Sequence, residues 1–136
     1  CAQHSGRYLY GYSPAMFIAE KMRALCQQMA EYGPVVHRSR PTAARAKDFV
    51  DIYVLAKKYG VDFTSEEFRR TLTNVFEKKR VPLSLLGRIR DEKEHHKANF
   101  QSVRDTIAAD FDLQDFDFYF DFTCSQCEKL KPFWNE

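Results

Sequence analysis

The sequence predicts a mainly α protein, a helical bundle of about five to six helices preceded by one short N-terminal strand. Three observations carry that prediction. Apolar residues recur three and four positions apart along most of the chain. Helix start and stop signals bracket those stretches. The composition is 44% hydrophobic, 15% aromatic and 29% charged, so there is enough bulky apolar material to build a core.

A chain of 136 residues fits one folded unit. Its net charge of +2 creates no strong overall field, so nucleic-acid binding does not follow from charge, although a local basic patch stays open. No apolar run approaches the roughly 18–20 residues that span a bilayer. The N-terminus has no charged-then-apolar signal pattern, and no membrane partner is expected. The cysteines are Cys1, Cys26, Cys124 and Cys127. In a helix-rich, cysteine-poor chain they read as reduced thiols of a cytoplasmic protein. A start at Cys1 instead of Met is expected of a trimmed chain, a proteolytic product or a partial sequence.

Arg7 to Tyr12 is short and aromatic and suits a strand, which would need sheet partners that this chain does not visibly supply. Ser13-Pro14 opens a helix, with Ser as N-cap and Pro at the first helical position. Ile18, Met22, Leu25 and Met29 form its apolar stripe, and Gly33-Pro34 ends it after about Tyr32. A basic loop from Val35 to Pro41 carries His37, Arg38 and Arg40. A second helix spans about Thr42 to Tyr59 and stops at Gly60. Phe49, Val50, Ile52, Tyr53, Leu55 and Ala56 cover much of its circumference, which makes it central. Thr64 to Glu67 forms a capping box with Thr64 as N-cap, and the helix that follows buries Phe68, Leu72, Val75 and Phe76.

Pro82 separates this helix from a short one around Ser84 to Arg90. A longer helix is expected from about Asp91 to Ala108, buried at Phe100, Val103 and Ile107. The Phe116 to Phe122 stretch alternates like a strand, yet Phe116, Phe120, Cys124 and Cys127 share a helical face. The run through Glu128-Lys129-Leu130 favours a helix, ended by Lys131-Pro132.

The informative charges are Lys21 on the first helix and Lys47, Asp48 and Asp51 on the second. Asp48 and Asp51 are three apart and share a face. They lie in the most apolar stretch of the chain, so some of these charges should meet partners across a helix interface or line a cleft. Lys21 is the obvious cross-helix partner. One reading is a structural ion pair that staples two helices; the other is a site.

Two segments bear on that choice. Tyr12 to Leu25 reads Tyr-Ser-Pro-Ala-Met-Phe-Ile-Ala-Glu-Lys-Met-Arg-Ala-Leu, and Arg45 to Tyr53 reads Arg-Ala-Lys-Asp-Phe-Val-Asp-Ile-Tyr. In this order and separation they resemble the third and fourth motifs of the AbiEii/AbiGii toxin family of nucleotidyltransferases. The likeness is good from Leu9 to Leu55 and looser to the C-terminus. It implies that residues 1–13 end a nucleotidyltransferase α/β core and that residues 14–136 form the C-terminal helical domain. It also implies transfer of a nucleotidyl group from a nucleoside triphosphate to an acceptor, with RNA as a candidate, by a toxin with a cognate antitoxin.

Carried over residue by residue, the resemblance makes Lys21 and Asp48 the catalytic pair. Lys21 contacts nucleotide phosphates, and Asp48 acts as a base or orients the acceptor. Arg45 and Lys47 join Lys21 in nucleotide binding, while Glu20 and Asp51 support. The family also has a Gly-Ser phosphate loop and an Asp-x-Asp or Asp-x-Glu metal pair, which do not occur from Cys1 to Tyr12. Asp115-Phe116-Asp117 has the letters at the wrong end. The chain therefore reads either as a fragment of a full-length enzyme or as a degenerate relative; nucleoside triphosphate and Mg²⁺ are expected for the full-length enzyme, and no metal, tight nucleotide binding or activity for this chain alone.

Lesser features read blandly. Cys124-Ser125-Gln126-Cys127 is a lone pair where zinc wants four ligands. His95 and His96 lie in a charge run that reads as a solvated helix face. The basic loop is a candidate contact for phosphates. The alternative to an enzyme is a non-catalytic interaction module, binding an antitoxin or its own copies through aromatics from Phe116 to Phe122.

Overall fold

The computed structural model describes residues 12–29, 44–107 and 109–134. The expected strand, apart from Tyr12, and the basic loop lie outside these residues. The described part is mainly helical, with seven α-helices and one 3-10 helix. None of these helices is long and apolar enough to cross a membrane.

Helix α1 runs Pro14–Gln27, started by the Ser13 side chain, which accepts from Met16 N–H at 3.2 Å. Helix α2 runs Ala46–Tyr59, four residues later than the apolar pattern suggests. Gly60 ends it in the left-handed conformation, φ 61°, where a residue without Cβ carries little penalty. Helix α3 runs Glu66–Lys78. Its N-cap is Ser65, not Thr64: the Ser65 hydroxyl accepts from Phe68 N–H at 3.1 Å, while the Thr64 hydroxyl donates to Asp62 at 2.7 Å.

A 3-10 helix, Leu83–Glu92, turns Leu85, Leu86 and Ile89 into the core. The single helix expected from 91 to 108 is instead two, α4 Lys93–Lys97 and α5 Phe100–Thr106, parted at Ala98-Asn99. Helix α6, Phe116–Lys129, confirms the helical reading of the aromatic stretch. Helix α6 ends before Lys131-Pro132 as expected, and a separate last turn, α7 Lys131–Trp134, follows. This lays the Trp134 indole over Gly87, where a Cβ would come within 2.4 Å of the ring.

Helix α2 is central, packed between α1 on one side and α5 and α6 on another. The fully buried Phe49 anchors it, its ring 5.5 Å from Phe116 and 5.1 Å from Phe120. Helix α1 also packs on α3, and the 3-10 helix closes the base against α1, α6 and α7. Phe116, Tyr119 and Phe120 are core residues, which leaves Phe118 as the exposed aromatic of α6. The antiparallel fit of α1 against α2 is what brings the charged residues of the two helices together.

Candidate functional site

Five charged side chains on α1 and α2 alternate in sign along the interface. Arg45 Nε lies 2.5 Å from Asp48, Asp48 lies 3.4 Å from Lys21 Nζ, Lys21 lies 3.1 Å from Asp51, and Asp51 lies 3.0 Å from Lys47 Nζ. Three cations against two carboxylates leave the line with a net positive charge. Exposure falls toward the middle: Asp48 keeps 9% of its side-chain surface and Lys21 26%, whereas Arg45 keeps 41% and Lys47 61%. The centre is thus held in a drier, lower-dielectric setting than its ends.

Local sequence explains this placement. Ile18, Met22 and Leu25 bury one face of α1, which leaves Lys21 at the edge of that face. On α2, Asp48 and Asp51 flank the buried stripe of Phe49 and Ile52, so both reach the edge where α1 arrives. Beside Lys21 and Asp51 lies an open cleft of about 330 Å³, walled by Phe17, Val54, Leu55 and Tyr59. Its walls are mainly apolar, with few polar groups.

The structure brings together Lys21, Arg45, Lys47, Asp48 and Asp51 from among the residues singled out in the sequence. It does not bring Glu20, which turns along its own helix to Arg23 at 2.8 Å. His37, Arg38 and Arg40 lie outside the described residues. Asp115 precedes α6, and Asp117 faces Lys93 and Lys97 at 3.4 Å.

His96 corrects the solvated-face reading of the charge run. It is 1% exposed, and its Nδ1 accepts the backbone N–H of Arg45 at 2.9 Å. Asn99 accepts the next N–H, from Ala46, at 3.2 Å. Sequence reasoning missed both. A signal was present: His96, Phe100 and Val103 are spaced four and three apart, so His96 continues the buried face of the residues that follow it.

The cysteine pair sits where the thiolate form is disfavoured. Burial pushes the Cys124 thiol up to about 11, with Asp121 adding to the effect, and raises Cys127 further. Burial likewise raises Cys26. Among the described residues no group of three or more His, Cys, Asp or Glu side chains converges as a metal site. Asp48 and Asp51 do not fit Mg²⁺, because each carboxylate already faces two cations.

A family model described as nucleotidyl transferase AbiEii toxin, type IV TA system, matches residues 9–122, a span that runs well beyond the two motifs. No curated protein and no solved structure matches the chain.

Proposed function

Because the chain belongs to the AbiEii nucleotidyl transferase toxin family, we propose that it takes part in transfer of a nucleotidyl group from a nucleoside triphosphate to an acceptor hydroxyl, with RNA as the acceptor class. The supporting observation is Lys21: a lysine held between two carboxylates, at the lip of an open cleft, in a line of charges that is positive overall. A compact ammonium and a forked guanidinium are suited to phosphate oxygens. Arriving phosphates would take over Lys21 and Arg45 from their present carboxylate partners, so the ion pairs hold the cations in place until substrate binds.

In the proposed reaction the acceptor hydroxyl oxygen bonds to the α-phosphorus and its proton passes to solvent, the bond from the α-phosphorus to the oxygen bridging to the β-phosphate breaks, and pyrophosphate leaves with that oxygen. Lys21, Arg45 and Lys47 offset the charge that collects on the phosphates. Asp48 is assigned to orientation and not to proton removal, since its two oxygens already face Lys21 and Arg45. The Mg²⁺ of phosphoryl chemistry is not assigned to these residues. The proposed partner is a cognate antitoxin protein. The interaction-module alternative retains Phe118, exposed over Tyr53 with ring centroids 4.9 Å apart, as its anchor on α6.

The test is transfer of label from α-labelled nucleoside triphosphates to RNA by the intact protein. Lys21→Met and Asp48→Asn should each lower transfer by about 100-fold or more while helical circular dichroism is retained. Full transfer by a folded Lys21→Met variant would sink the reading.

A further inference from the structure

Arginine is a poor N-cap residue, yet Arg45 holds that position on α2 and its side chain caps nothing. Its guanidinium is turned to Asp48 instead. The backbone donors of this helix start are met from a distant part of the chain, by His96 for Arg45 and Asn99 for Ala46. A serine or aspartate at position 45 would cap locally, but it would remove the guanidinium from the line of charges. Local helix stability has been given up for a side chain at the site, and the missing cap is supplied through tertiary structure.

The imidazole suits this task. An Nδ1 that accepts an N–H carries no proton, so the ring is neutral with its proton on Nε2. Its neighbours keep it so: burial draws its pKa down to about 4, His95 and Arg45 act in the same direction, and Asp48 opposes them. The ring is held against Phe49, with centroids 5.2 Å apart, on the face where α2 meets the core. Arg45 O in turn accepts from Asp48 N–H at 3.0 Å, so the backbone carrying Asp48 is anchored on the residue that His96 fixes.

We propose that His96, assisted by Asn99, is a positioning residue of the transfer site: it pins the start of α2 and thereby the aim of Arg45 and Asp48. The role rests on the nucleotidyl-transfer reading for what is aimed; the cap itself does not depend on it. The experiment compares His96→Phe, which keeps bulk and removes the acceptor, with His96→Gln, which restores an acceptor, and with Asn99→Ala.

In the folded His96→Phe protein, the Arg45 and Ala46 amides should exchange with solvent about tenfold faster or more, while the Ile52 amide does not change. Label transfer should fall by about 10- to 100-fold in kcat, and His96→Gln should recover most of it. Nitrogen-15 shifts of the wild-type ring at pH 6 should show an unprotonated Nδ1. Unchanged Arg45 exchange in His96→Phe, a protonated Nδ1, or wild-type kcat in the folded variant would each overturn the proposal. If the wild-type protein transfers no label, the reaction reading fails, while exchange and ring-nitrogen shifts still decide the cap. If His96→Phe does not fold, Asn99→Ala and the wild-type ring carry the decision.

Discussion

Lys21 on α1 and Asp48 on α2, 27 positions apart in sequence, face each other across the helix interface at 3.4 Å. The pair lies at the centre of the charged line, where Asp48 is nearly buried and Lys21 is not. Breaking it from the aspartate side should therefore be the more damaging change, because Lys21 keeps Asp51 while Arg45 loses its partner.

Asp48→Asn should lower stability by about 1–3 kcal/mol, and Lys21→Met by about 1 kcal/mol or less, since half-open pairs are screened by water. A double-mutant cycle in urea should give a coupling of about 1 kcal/mol. Strict additivity would show that the pair is not energetically linked.

His96 makes stability depend on pH in a known direction. Its pKa is depressed on folding from 6.5 to about 4. The unfolded chain thus binds more protons between those values, and stability is full above pH 6.5 and lost as pH falls toward 4. Between pH 7 and pH 5 the wild-type protein should lose about 2 kcal/mol more than His96→Gln. Parallel urea midpoints for the two proteins would refute the assignment.

Arg80 ends α3 with φ 58°, a left-handed conformation that disfavours a Cβ, while Val81 N–H bonds Phe76 O at 3.0 Å. Arg80→Gly should keep this termination and raise stability by about 0.5–1 kcal/mol. Thermal melting checks this; a lower Tm would mean that the Arg80 side chain contributes more than its backbone costs.

The raised thiol pKa values predict slow alkylation. At pH 7.5 Cys26, Cys124 and Cys127 should resist iodoacetamide in the folded protein and react within minutes in urea. Mass spectrometry of digested peptides reads this directly, and rapid native labelling of Cys127 would contradict its burial.

Much of the fold was legible in the sequence because its helices bury continuous stripes. Ile18, Met22 and Leu25, or Phe68, Leu72 and Val75, announce a helix and its inner face without reference to anything else. Lys21, Asp48 and Asp51 stood out for a related reason, as charges at the edges of such stripes. The remainder depended on contacts distant in sequence. Asn99, at the break between α4 and α5, accepts from Ala46, 53 residues earlier. His96 looked solvated because its charged neighbours hid an inward face. Ser65 took the cap in place of Thr64, whose hydroxyl donates to Asp62, a contact two residues away that a capping-box pattern does not count.

The distant cap on α2 also bears on how the protein is made. A ribosome delivers Lys21, Arg45 and Asp48 well before His96 and Asn99. Until those later residues emerge, the helix start has neither its own capping side chain nor a borrowed one, and the charged line lacks a fixed geometry. The geometry of the charged line is thereby tied to residues made 51 and 53 positions later than the helix start they hold.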